Sequence, residues 1–302
     1  MKYRLQKFGR VPVEMGIKMF HTCITPILLY NSQVWGYRNV YDLDKVFLGY
    51  VKYLLGVRNT TSNCGVYCET GTVSFSVACQ YNMIKYWIKL LNGNHDRPDY
   101  RTYLCLRDHV NSDAKGNWAK EVKKVLDNCG LSYLWNYEFI DNATSVLCLV
   151  YARLHDQMQT RLMCEINESS KLDTYAIFKV SFGKEKYLSC ITNFTYRQCL
   201  SRIRLAAHDL QVELGRRNNT PRQDRICLLC NRGVENEQHF LLECETLTHI
   251  REQYLSTFFL NNSNHYSLCK LMQTDDKDHL LNLCKFIYFA CKYRDTLLHE
   301  RV

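Results

Sequence analysis

Cys227, Cys230, His239 and Cys244 fall within one stretch, ICLLCNRGVENEQHFLLEC, at the spacing Cys-x2-Cys-x8-His-x4-Cys. Two thiolates three positions apart grip one cation from a tight turn. Asn231-Arg232-Gly233 is turn-forming and returns the chain for a second pair of ligands. Three thiolates and one imidazole make a closed tetrahedral set with no vacancy for water, so the spacing predicts a structural zinc ion, not a catalytic one. Chance competes with this reading. With 16 cysteines in 302 residues, about one Cys-x2-Cys pair is expected at random, and Cys227/Cys230 is the only one in the chain. The alternative is two buried thiols beside a surface histidine. The His-x4-Cys arm, with Phe240-Leu241-Leu242 between its ligands, favours the metal. Residues five apart on a straight α-helix point about 140° away from each other, so a short helical turn ending at Cys244 is expected. His249 is a second-rank substitute ligand.

Upstream of this stretch lies the second set of residues with chemical potential. Between Arg197 and Arg232 the chain places eight arginines against Asp209, Glu213 and Asp224, and no lysine. The planar guanidinium fork suits bidentate contact with phosphate and stacking on bases, so composition as well as charge favours nucleic acid. Leu200, Ile203 and Leu205 form an apolar stripe, from which Arg197, Arg202, Arg204, Arg216 and Arg217 are expected to point away. With Arg225 these are the candidate nucleic-acid contacts. The alternative is an exposed helix laced with its own ion pairs.

Helices are the elements that must position both sets. Apolar residues recur at helical spacing from Ile17 to Leu28, with Pro26 as a kink. Leu43–Leu55 is the cleanest amphipathic helix, with Asp42 as its expected cap and Gly56 as its stop. The run CITPILLYNSQVWG is apolar on nearly all sides and is expected to be deeply packed. Residues 61–71 read as turns. Helices are predicted over Val73–Leu91, Tyr100–Val110, Trp118–Cys129, Ser145–Ile166, Glu245–Leu260 and Asp278–Leu298, with Trp118 and Trp135 as core anchors. The fold class expected is therefore mainly α: one or more multi-helix bundles with a small zinc-knuckle insertion near the C-terminal third.

Composition narrows the function classes. A net charge of +9 suits an anionic partner without demanding one. The first 14 residues carry Lys2, Arg4, Lys7 and Arg10 and no apolar run, and no stretch approaches the 18 apolar residues of a membrane span. No membrane partner is expected. The thirteen cysteines outside the knuckle are scattered singly through helical patterns and read as reduced core thiols of an intracellular protein, cytoplasmic or nuclear.

Several runs resemble one family. Val11-Pro12, Phe20, Pro26-Ile27-Leu28-Leu29-Tyr30 and Val34-Trp35-Gly36 resemble the thumb segment just after the polymerase palm of non-LTR (LINE-type) retrotransposon reverse transcriptases, which typically reads PILLYGSEVWG. This chain departs from it at Asn31 and Gln33. Leu54-Leu55-Gly56-Val57-Arg58 with Thr60-Thr61 resembles the LLGVRKTT-like run that follows. LSRIRLAAHDLQVELGRR, the knuckle, and Glu235-x-Glu237-x-His239 resemble the C-terminal zinc-binding region of the same family. The likeness covers residues 1–60 and 180–250 by specific motifs and the region between them in overall pattern only. It implies a thumb-like helical segment over 1–60, a helical connector over 61–170, and a basic helical region with a CCHC knuckle over 171–302. Carried over, the metal ligands fall on Cys227, Cys230, His239 and Cys244. The implied partners are the element's RNA and/or DNA and the polymerase body.

Polymerase chemistry itself needs acidic residues on a strand–turn–strand holding two magnesium ions. No aromatic-x-Asp-Asp hairpin occurs, and neither a Gly-rich phosphate loop nor a nucleophile–base pair stands out. Asp275-Asp276 precedes a helix and reads as capping charge. If the resemblance holds, the chain starts beyond the palm and is a nucleic-acid-binding fragment or truncated copy that does not polymerise. A reading from a different class is a zinc-stapled helical module with no nucleic-acid role that binds protein; an exposed apolar patch where residues 1–36 should meet the palm would favour it.

Overall fold

The computed structural model describes residues 11–38, 40–111 and 116–300; Lys2, Arg4, Lys7 and Arg10 lie outside them. The fold is mainly helical, as its sequence periodicity requires, and among the described residues the one isolated β-bridge joins Ile226 and Val234 in the knuckle. The chain divides into two compact units, one drawn from Met1–Lys18, Leu48–Thr72 and Leu162–Val302, the other from Met19–Phe47 and Val73–Arg161. No described helix is long and apolar enough to cross a membrane.

In the second unit Phe75–Leu91 is the central helix. Ser74 caps it by accepting the Ser76 amide at 3.1 Å, and its apolar face packs on Ser32–Trp35, Pro98–Asp108 and Trp118–Asn128. Trp87 is fully buried, stacks on Trp135 at 6.2 Å and donates from Nε1 to the Tyr103 hydroxyl at 3.1 Å. Trp118 and Trp135 are core anchors, as expected. The run CITPILLYNSQVWG is a correction. Thr25–Leu28 and Ser32–Trp35 are separate single turns, parted by Asn31 in the left-handed region (φ 55°), and they leave Ile27, Tyr30 and Val34 exposed by 72%, 75% and 52%. An all-round apolar sequence cannot bury every side once the helix is cut into single turns.

In the first unit Lys277–His299 is the spine. Asp276 caps it through Oδ1, which accepts the His279 amide at 2.8 Å, so the Asp275-Asp276 pair does hold capping charge. Leu280, Leu283, Ile287, Ala290 and Arg294 lie buried along one stripe at three- and four-residue steps. This helix packs on Phe194–Arg204 and Thr248–Tyr254. Residues expected as turns form the helix Asn63–Thr70, in which every residue from Cys64 on is buried. A helix enclosed on all sides has no amphipathic period to read. Three further expectations change. The helix Val40–Leu55 begins before Asp42, which sits in its first turn instead of capping it. The predicted Glu245–Leu260 helix is broken into Glu245–Leu247, Thr248–Tyr254 and Thr257–Asn261. Of the cysteines outside the knuckle, Cys23, Cys105, Cys148 and Cys164 are exposed, not core.

Candidate metal centre

The knuckle is built by a tight turn and a wide one. Cys227 donates its amide to the Gly233 carbonyl at 3.0 Å, and the Asn231 amide returns to the Cys227 carbonyl at 2.9 Å. Asn231 (φ 55°) and Gly233 (φ 65°) both adopt left-handed backbone, which their residue types tolerate. The turn expected at Asn231-Arg232-Gly233 is therefore present. The second pair of ligands sits on a π-turn, His239–Glu243, closed by the Cys244 amide donating to the His239 carbonyl at 2.8 Å. That i→i+5 bond answers the geometric objection to a straight helix. The wider turn brings residues five apart round to one side, and π-turns of this kind recur at functional sites.

The four ligand atoms lie within 4.8 Å of one another, close enough to hold a metal ion. Cys227 Sγ is 3.9 Å from Cys244 Sγ, and Cys230 Sγ is 3.3 Å from His239 Nε2. Sulfurs ~2.3 Å from a tetrahedral cation stand about 3.8 Å apart, and a sulfur and an imidazole nitrogen about 3.6 Å. His249 instead packs edge-on against Tyr293 with ring centroids 4.9 Å apart.

Cys227, His239 and Cys244 are buried and Cys230 is half-buried. The protons reflect the crowding. Cys227 donates to Cys244 and is buried, which together push its thiol up to about 12. Cys244, accepting that bond, is held below the ordinary thiol value. Burial opposes protonation of His239, but Cys227 and Glu243 raise it above the usual histidine range. Its Nδ1 lies 3.5 Å from Glu243 Oε2, leaving Nε2 to face the sulfurs.

A ring of buried charges fixes this centre to the rest of its unit. Arg294 grips Glu235 with Nε to Oε1 at 2.7 Å and Nη2 to Oε2 at 2.8 Å. Glu235 Oε2 also accepts the Gln211 amide at 2.8 Å, and its carbonyl accepts the Val212 amide at 3.0 Å, so the knuckle holds the first turn of the helix Gln211–Arg217. Buried Arg251 donates to the Leu241 and Cys244 carbonyls at 2.8 and 3.1 Å. Glu237 accepts from Thr174 at 2.7 Å and pairs with His208 at 2.9 Å. Sequence reasoning missed Arg251, Arg294 and the role of Glu235. Arg294 was findable, because it continues the Leu283–Ile287–Ala290 stripe four residues on, where a charge demands a buried partner.

The six candidate arginines separate into two groups. Arg197 and Arg204 do not point away from the apolar stripe. They are 2% and 4% exposed, because Phe194–Arg204 is enclosed on more than one face. Arg197 donates to the Ile191 carbonyl at 2.7 Å, and Arg204 to Glu69 at 2.6 Å and the Met272 carbonyl at 2.7 Å. Neither guanidinium is available to a phosphate. Arg225 is half-buried, tied to the Thr220 and Val212 carbonyls at 2.9 and 2.8 Å. Arg202 is exposed and holds the Gly56 carbonyl at 3.0 Å.

Arg216 and Arg217 join cations that the sequence keeps far apart. Arg216 donates to Glu213 at 3.1 Å, and Arg217 to Asp209 at 2.9 Å. Arg58 donates to the same Asp209 at 2.5 Å. Lys171 is held below the ordinary lysine value by burial and by the charges of Arg216, Arg217 and Arg58, with Glu213 opposing. Lys52, lowered by burial and by Lys171, is buried and bonds the Asn59 carbonyl and the Asn63 side chain, so it is not available to a phosphate. Arg58, Lys171, Arg216 and Arg217 thus gather around Asp209 and Glu213. No protein-family model, no curated protein and no solved structure matches this chain.

Proposed function

We propose that Cys227, Cys230, His239 and Cys244 hold a structural zinc ion, and that the unit they staple binds RNA or an RNA–DNA duplex through the edge formed by Arg58, Lys171, Arg216 and Arg217. The donor set suits zinc: three thiolates and an imidazole fill four positions, and the net negative charge they leave on a dication is offset by buried Arg251 beside Cys244. Zinc closes the knuckle, Glu235 carries that order to Gln211 and Val212, and the helix Gln211–Arg217 presents its arginines at a fixed angle. The observation that carries the reading is the meeting of Arg58 and Arg217 on Asp209, with Arg216 on Glu213 and Lys171 beside them. Such a surface binds a polyanion by counterion release, with phosphate contacts positioning the protein. The spacing of the knuckle and the LSRIRLAAHDLQVELGRR run supports an origin in the post-palm region of a LINE-type reverse transcriptase. On that reading the chain carries no polymerase chemistry of its own and acts inside the cell.

The test is a binding titration against salt on RNA, single-stranded DNA and hybrid duplex, with and without chelator. Arg216→Ala with Arg217→Ala lowers affinity on all sequences and flattens the slope of log affinity against log salt by roughly 1 to 2. Unchanged affinity and slope contradict the reading.

A second reading is favoured by one specific observation. Ile27, Tyr30 and Val34 present apolar surface to solvent, which suits a protein partner such as the polymerase body that precedes this region in LINE-type elements. Ile27→Lys with Tyr30→Lys abolishes association with such a polymerase domain if that reading holds, and leaves it intact if it does not.

A further inference from the structure

The clamp around Asp209 extends the polyanion reading, on which the following rests. Asp209 is exposed (57% of its side chain) yet is held by two guanidinium groups. Arg58 Nη2 lies 2.5 Å from each carboxylate oxygen, and Arg217 Nη2 lies 2.9 Å from Oδ1. The two arginines reach this point from residues 151 and 8 positions away in the chain. The backbone beneath is fixed, because the buried His208 ring pairs with Glu237 and accepts the Leu210 amide at 3.3 Å. A guanidinium N–H donates alike to a carboxylate oxygen and to a phosphate oxygen. An exposed ion pair of this kind adds little to stability, so two guanidinium groups, each reaching one solvent-facing carboxylate through a single Nη2, are poorly explained by folding alone. Lys171 adds a third positive charge beside them.

We propose that Asp209 is an internal stand-in for a backbone phosphate, occupying a two-arginine clamp, Arg58 and Arg217, that a phosphodiester of the bound nucleic acid enters by displacing the carboxylate. The clamp is then a phosphate subsite that Asp209 weakens, keeping adventitious anions out and lowering affinity for polyanions that cannot also engage Lys171 and Arg216. Asp209 is a competitor here, not a contact.

The experiment uses the full, zinc-loaded chain and fluorescence anisotropy with a labelled 20-nucleotide single-stranded RNA, across a salt series. Asp209→Asn keeps the size of the side chain and one acceptor oxygen, and zinc content with far-ultraviolet circular dichroism verifies that it folds. The expected result is affinity about three- to tenfold tighter at ~0.1 M salt, with a slope steeper by about one phosphate contact. Asp275→Asn removes an exposed acid outside the clamp and changes affinity less than about twofold. Adding Arg58→Ala and Arg217→Ala to Asp209→Asn abolishes the gain. Equal effects of Asp209→Asn and Asp275→Asn, or a gain that survives loss of both arginines, overturn the proposal. If the wild type binds and Arg216→Ala weakens it while Asp209→Asn does nothing, only the stand-in fails. If no variant binds RNA, the polyanion reading fails and takes the clamp with it.

Discussion

Glu235 is the side chain through which the candidate metal centre grips the rest of its unit, and replacing it with alanine tests that grip. Its carboxylate receives two bonds from Arg294, at 2.7 and 2.8 Å, and a third from the Gln211 amide at 2.8 Å. The side chains of Arg294 and Glu235 are 6% and 1% exposed, so solvent screening gives no reason to discount the pair. Removing one partner strands a buried guanidinium, which costs about 3–5 kcal/mol, and the orphaned Gln211 amide lies within that range because the losses share one cavity. Against a folding stability of roughly 5–15 kcal/mol, a substantial share of the margin goes. Urea unfolding of the zinc-loaded protein, followed by circular dichroism, should show the midpoint falling by at least about 1 M at a slope of ~1–3 kcal/mol/M. Glu235→Gln combined with Arg294→Met should recover most of the loss, since a buried pair contributes little net stability beside a matched apolar one. A Glu235→Ala variant within about 1 kcal/mol of wild type, or strictly additive effects of Glu235→Ala and Arg294→Ala, would refute the reasoning.

Two further outcomes follow from the same physics. Glu69 has no exposed surface and balances Arg204, with Tyr175 donating to it at 2.9 Å, so Glu69→Ala should lower stability by about 3–5 kcal/mol in the same urea assay, and a loss below ~1 kcal/mol would show that Glu185 suffices as counterion. For Asp209, burial raises the carboxyl's affinity for protons, but the bonds from Arg58 and Arg217 outweigh it and hold the group below the ordinary carboxylate range. A depressed folded-state pKa contributes stability above the unfolded value of 3.8, and that contribution disappears as pH falls through the folded value. Asp209→Asn should therefore flatten the acid limb of the stability profile slightly, and more at low salt than at high; an identical limb would remove Asp209 from the account.

The metal centre was legible because its information is local. Ligand spacing and a turn of Asn and Gly set Cys227, Cys230, His239 and Cys244 together, whereas the π-turn that reconciles His239 with Cys244 has no sequence mark and was anticipated only as a need for a short turn. Long amphipathic helices such as Phe75–Leu91 and Lys277–His299 were legible from their period. Asn63–Thr70 was not, because complete burial erases the period. Arg197 and Arg204 were misread for a related reason: charge predicts exposure until a distant partner exists, and Glu69 lies 135 positions from Arg204. Separation along the chain likewise hides Arg58 and Lys171 from any local reading of the arginine-rich stretch. Ile27 and Tyr30 show the converse, apolar residues left in water because two single helical turns have too few faces to hide them.

The most direct measurement is metal content joined to X-ray absorption on the purified chain. One zinc ion per chain, bound by three sulfurs at about 2.3 Å and one nitrogen at about 2.0–2.1 Å, is the predicted result. A chain that stays metal-free after zinc is supplied, or a shell dominated by oxygen, would contradict it and leave the arginine-bearing helix without the anchor that positions it.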